Sequence, residues 1–437
     1  MDRSSRHIRR FSGSVLLYIA LGVASAGELN DRLAPPRDHP AIWYGSPRVS
    51  DPVGLLDDRL RQGLAQLEFE GPQGYLRSVL RALNVPVESQ IAVFSKTSRQ
   101  KNLIHPGNPR TIFFNDSVAV AWMYGGFIEL ASHDPRQGTI FYTLEQEQIA
   151  RPTFQRHDDC LGCHGSDASL GVPGMVVRSI FTAPDGRPRL VMGGSLVDHR
   201  TPIEDRWGGY YVTGSAAGVR HLGNAFVTDE EDPSRMVTPK TLQVGSLVGR
   251  FDVGHYLSPH SDVGALMVFD HQMYMMNLIT RVGWETRAAL YDKGRGRQVD
   301  ADKIARESAQ EFVDYLLFID EAPLPAPIQS AAVRSNSAYA RGFTAQGPFD
   351  RKGRSLRELD LQHRLLRYPC SYMIYSEAFD GLPVSAKDAI YARLWQVLSG
   401  NAEGEKYKRL NRADARAIIE ILRDTKTELP AYIQPIK

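Results

Sequence analysis

Residues Thr111–Gln146 read TIFFNDSVAVAWMYGGFIELASHDPRQGTIFYTLEQ. Four short apolar runs, TIFFN, VAVAWMY, FIELAS and TIFYTLEQ, are rich in β-branched and aromatic residues. Each is too short for a helix and is bounded by turn formers such as Asn115-Asp116, Gly125-Gly126 and HDPRQG. Runs of this length between such breakers predict consecutive antiparallel strands. With QIAVFS (90–95) before them, they make the middle of the chain β-rich.

Working outward, DPVGLLDDRLRQGLAQLEF (51–69) and GYLRSVLRALN (74–84) carry helical periodicity. Beyond the strands, 175–197 reads as a hairpin turning at Pro184-Asp185-Gly186, and 206–215 with 219–227 as a further strand pair. From Ser261 the pattern turns helical, over 261–293, 301–318, 353–367, 384–398 and 411–426. The expected organisation is a helical segment at 27–88, a β-rich region at 89–258 and a helical region at 259–437. The expected class is therefore α+β.

The first residues differ from all of this. Arg3, Arg6, Arg9 and Arg10 precede the apolar FSGSVLLYIALGVA, and Ala24-Ser25-Ala26 closes it. That is the layout of a cleavable signal peptide over 1–26, with cleavage after Ala26. No other run approaches the ~18 apolar residues of a membrane span, so export without a stable membrane span is expected. Removing the peptide takes away four arginines and one aspartate, moving the net charge from +2 to −1. A near-neutral chain lacks the basic face of a nucleic-acid binder.

Only three cysteines occur, Cys160, Cys163 and Cys370, which excludes a disulfide framework. Two of them lie in FQRHDDCLGCHGSDASLGVPGM (154–175), directly after the strands. Cys160-Leu-Gly-Cys163-His164 is the spacing of c-type haem attachment. Two thiols add across the vinyl groups of one porphyrin, and the next residue, His164, supplies an axial nitrogen to iron. Gly162 and Gly165 leave the backbone slim beside the macrocycle. A redox dithiol would sit at a helix start within a βαβ pattern. A zinc site built on His157, Cys160 and Cys163 lacks a fourth ligand at suitable spacing. The expected cofactor is one covalent haem c. The motif lies late, after strands, so the small all-helical cytochrome c fold is not expected.

The sixth iron position separates functions, because a strong ligand favours electron transfer and an open site favours binding or catalysis. His221 leads the candidates, followed by Met192 and Met175, then His271. Cys370 is a buried apolar residue or a distal thiolate, and His157 lies too close to Cys160 to reach the opposite haem face.

The segments SKTSRQ, PRTIFFND, CLGCHGS with GVPGM, RWGGYYVTG, HLGN, YLSPHSDVGALMVFDHQ and YPCSYMIYSEAF span most of the chain after the signal peptide. On these the chain resembles a family of exported bacterial monohaem cytochrome c domain-containing proteins. The resemblance implies haem binding through Cys160, Cys163 and His164, and electron transfer with a redox protein or small-molecule donor or acceptor. The strand-rich approach to the motif also resembles PAS-like haem c sensor domains. Two further classes remain open: a haem c oxidoreductase with an open distal site, and a haem-based sensor or binding module.

Overall fold

The computed structural model describes residues 32–214, 219–229, 236–242, 244–324 and 337–435; the expected signal peptide, 1–26, lies outside them. The fold is α+β, with a seven-stranded antiparallel sheet and a helical C-terminal half. The strands are β1 (Ile91–Val93), β2 (Arg110–Phe114), β3 (Val118–Trp122), β4 (Ile128–Asp134), β5 (Gly138–Leu144), β6 (Gln155–Arg156) and β9 (Tyr210–Tyr211), in the order β6-β5-β4-β3-β2-β1-β9.

Side chains explain where the strands turn. Asn115 Oδ1 accepts from the Ser117 and Val118 amides, tightening the β2–β3 corner. Asp134 Oδ1 does the same for Arg136 and Gln137 between β4 and β5. A second, two-stranded ladder pairs β7 (Arg178–Ile180) with β8 (Gly194–Leu196), around the expected turn, where Gly186 takes φ +87°.

Directly opposed residues share a sheet face. One face carries Ala92, Phe113, Val120, Leu130 and Tyr142. It is covered by α1 (Pro52–Arg61), whose cap Asp51 accepts from the Val53 and Gly54 amides and from Tyr142 Oη at 2.8 Å. After α1 the chain continues through α2 (Leu76–Ala82) into β1. The other face carries Arg110, Ile112, Phe114, Ala119, Ala121, Glu129, Ala131, His133, Phe141 and Thr143. On it lie α3 (Leu161–His164) and the long helix α5 (Val263–Gly294). Phe114 meets Phe269 at 5.0 Å between ring centres, and His133 Nε2 meets Thr280 Oγ1 at 3.1 Å.

The short α4 (Pro239–Leu242) precedes α5, which is buried over most of its circumference, as a helix sheathed by other elements must be. Asp262 caps it, accepting from Gly264 and Ala265. Its neighbour Ser261 ties the helix start to the sheet edge, accepting from Ala92 N and donating to Tyr211 O. Around α5 pack α6 (Ala301–Leu316), α7 (Ala338–Ala345), α8 (Glu377–Asp380) and α9 (Val384–Leu398), with α10 (Arg412–Thr425) outside α9. One hydrophobic cluster runs through sheet and helices alike. Among the described residues no helix is long and apolar enough to cross a membrane.

Two expectations fail. The helix expected over 353–367 is irregular chain: Leu356, Leu359, Leu361, Leu365 and Leu366 are all buried, but from turns, with Leu361 at φ +55°. The strand expected over 219–227 is absent because Asn224 replaces it. At φ +63°, Asn224 accepts from Val212 N and donates to Val212 O through one side chain.

Candidate functional site

Strand β6 pairs with the edge of β5 and delivers the chain to a single helical turn, α3. Leu161 is its anchor, 6% exposed in the core. With Leu161 buried, Cys160 is half-buried against the core, Cys163 is exposed, and neither is in a disulfide. A Cβ built on Gly162 meets nothing within 4 Å, so that flank of the turn is open.

His164 ends the turn with its ring against Phe141, 4.8 Å between centres. Its Nδ1 lies 3.0 Å from Gly174 O, while Gly174 N donates to His164 O at 2.9 Å. A carbonyl can only accept, so Nδ1 carries the proton and Nε2 keeps the lone pair. Burial holds the imidazole below its usual pKa, and the Arg110 and Arg178 guanidiniums lower it further against the Gly174 bond. The ring is therefore neutral at pH 7.

The Gly174 segment is itself fixed from α5. Asn277 Oδ1 accepts from Met175 N at 3.1 Å, and its Nδ2 donates to Met175 O at 2.8 Å. A Cβ on Gly174 would fall 2.1 Å from Asn277 Oδ1, so glycine is required for this approach.

The sheet face beside the motif carries polar side chains among its apolar ones. His157 Nε2 bonds Thr143 Oγ1 at 2.9 Å, and Arg99 pairs with Asp159 at 2.7 Å next to Cys160. Burial raises the Cys160 thiol pKa, with Arg99 opposing. Across the same face Arg110 approaches Glu129 at 3.6 Å, each 18% exposed. The Arg110 Nε is buried without a hydrogen-bond partner among the described residues. Between them Ala121, mid-sheet, stays 9% exposed, whereas Val120 on the opposite face is at 0%.

The sixth-position candidates are scattered. Met175 is half-buried, and its backbone adjoins Gly174, which is bonded to His164. Met192 packs with Ala225, Val227 and Met236 in a separate small cluster. His221 is buried edge-on against Trp207, and its Nδ1 accepts from Gly223 N at 3.0 Å. Burial takes its pKa down to about 4. His271 lies 2.7 Å from His199, Nδ1 to Nδ1, and 2.7 Å from Ser371 Oγ through Nε2, beneath Tyr315 and Phe318. Cys370 is fully buried, and burial pushes its thiol pKa far up. Arg110, Glu129, Gly174 and Asn277 escape the sequence reading; only the glycines of GVPGM hint at a close approach.

A haem c fits what the chain presents: two thiols at the attachment spacing, a neutral imidazole with its Nε2 lone pair available, and an orphaned guanidinium nitrogen nearby. Comparison with protein-family models, with curated proteins and with solved structures finds no match, and the site stands on these residues and their geometry alone.

Proposed function

We propose that this chain is an exported single-haem c-type cytochrome that passes single electrons to and from a redox partner. The observation that carries the reading is the His164–Gly174 hydrogen bond. A histidine that ligates metal through Nε2 typically gives its Nδ1 proton to a carbonyl, which fixes the ring and raises its basicity. His164 is so arranged.

Bound through Cys160 and Cys163, the haem would supply a one-electron iron couple. The chain's own residues do the rest. Leu161 fixes the turn, Gly174 and Phe141 orient His164, and Asn277 holds Gly174 in place through Met175. Cys163 stays at the surface, so one edge of the attachment turn faces a partner. The haem-bearing face of an antiparallel sheet is also where the PAS-like likeness belongs, and it is part of this proposal.

A second reading has two observations in its favour. His271 has both ring nitrogens engaged, and Met175 is held beside His164. An iron without a firm sixth ligand would make the protein a haem enzyme or ligand-binding module.

The test is an optical spectrum of the protein matured in a haem c-competent host, oxidised, reduced, and reduced under carbon monoxide. A low-spin reduced spectrum unmoved by carbon monoxide supports electron transfer. A high-spin spectrum that shifts supports the second reading. Absence of covalent haem, with Cys160 and Cys163 still alkylatable, overturns both.

A further inference from the structure

Resting on the haem reading, we infer that Arg110 binds the carboxylate edge of the porphyrin and sets the haem's electrostatic surroundings together with Glu129. The thioethers hold one edge of a c-type haem; the two propionates leave from the far side and need cationic or hydrogen-bonding partners in a partly buried site.

The register of the sheet puts Arg110 on the face that carries the motif. Arg110 and Ile112 on β2, Ala121 on β3, and Glu129 and Ala131 on β4 share that face with Phe141, which touches His164, and Thr143, which holds His157. Ser98 donates to Glu129 at 3.2 Å, and its neighbour Arg99 pairs with Asp159 beside Cys160, so the Arg110–Glu129 pair lies on the motif's side of the sheet. Its contact with Glu129, at 3.6 Å, is an ion pair beyond hydrogen-bond length, and its Nε donor is buried without a partner among the described residues. A buried guanidinium donor left unpaired is costly. A carboxylate meeting the guanidinium fork through Nε and one Nη satisfies it, in the geometry arginine favours. Ala121, directly opposite Glu129 on β3, puts only a methyl group on this face beside the pair.

The consequence is electrostatic. A positive charge at the haem edge favours the reduced, less positive iron, and a negative one favours the oxidised form. The experiment takes the matured protein and its variants Arg110→Gln, Arg110→Lys and Glu129→Gln. It measures the midpoint potential by redox titration and the propionate bending band by resonance Raman. Arg110→Gln should lower the potential and displace the band. Glu129→Gln should raise the potential. Arg110→Lys should hold the potential near the parent while still displacing the band, because lysine keeps the charge and loses the fork. If Arg110→Gln or Arg110→Lys carries covalent haem with the parent's potential and band, the inference is overturned. Haem missing from the parent protein would instead sink the cytochrome reading itself, and a pyridine haemochrome spectrum separates the two failures.

Discussion

Replacing Asn277 by alanine tests whether α5 holds the loop behind His164. The side chain is 1% exposed and makes both hydrogen bonds to the Met175 backbone, at 3.1 and 2.8 Å. Alanine removes the acceptor and the donor together and leaves the Met175 N–H and C=O without them. Each orphaned backbone group costs about 1–3 kcal/mol, and better helix propensity returns about 0.5 kcal/mol. The expected loss is about 1.5–5.5 kcal/mol, read as a lower urea midpoint at unchanged slope. A second readout follows from the geometry. Gly174, which accepts the His164 Nδ1 proton, adjoins Met175, so freeing the loop weakens that hydrogen bond. A less firmly bonded imidazole donates less to iron, and the midpoint potential of the matured protein should rise. Asn277→Asp keeps an acceptor for Met175 N and loses the donor, so it should fall between the parent and the alanine variant. A loss below about 1 kcal/mol would refute the clamp. A full loss of stability with the potential unmoved would refute the link from Asn277 to His164.

Three further outcomes are expected. Arg357 is 5% exposed, lies 4.4 Å over the Tyr372 ring, donates to Gly347 O at 3.1 Å and pairs with Asp116. Arg357→Ala should cost about 2–3 kcal/mol in a thermal or urea melt, with Arg357→Lys recovering less than half because it cannot stack. The second concerns acid. His133 and His221, with pKa down to about 4, and His271, down to about 3, bind protons only when unfolded between those values and 6.5, so stability falls as pH drops through that window. Asp270, raised to about 7 by burial, opposes them: it is protonated when folded and ionised when unfolded, so its share of stability is lost as pH rises from about 4 to about 7. Asp270→Asn removes that opposition and should steepen the fall in unfolding free energy from pH 7 to 5 by up to about 1.4 kcal/mol per pH unit; an unchanged slope would refute the assignment. Third, Cys370 should resist iodoacetamide in the folded protein and react only once it unfolds, since its thiol is fully buried and held protonated.

Much of the architecture was legible because its signals are local. The β2–β5 meander follows from short apolar runs and from Asn115 and Asp134, each of which builds its own turn. The start of α5 follows from Asp262 in the same way. The misses are places where a non-local partner decides. Leucines at helical spacing over 353–367 meet their burial without a helix, tied by Arg357 to Asp116 and by Arg364 to Asp414. Asn224 supplies through its side chain the pairing that a strand beside Val212 would have made. The candidate site divides along the same line. Cys160, Cys163 and His164 are contiguous and therefore readable, whereas Arg110 reaches the motif's face only through strand register and Asn277 only through the docking of α5.

The same division distinguishes the histidines. Which ring nitrogen keeps a lone pair depends on the backbone group that Nδ1 meets, and that group is set by tertiary structure. At His164 it is a carbonyl, so Nδ1 bears the proton and Nε2 keeps the lone pair. At His221 it is the Gly223 amide, so Nδ1 accepts and the neutral ring's proton sits on Nε2. To bind iron through Nε2, His221 would have to give up the Gly223 bond and exchange tautomers. His271 would have to break its contact with Ser371. His164 needs neither step, because the loop through Gly174 holds the proton on Nδ1 and leaves the Nε2 lone pair free of it. Preparing one imidazole in this way, two residues after a glycine and directly behind a surface thiol, is what the fold adds to a motif that the sequence alone could only space.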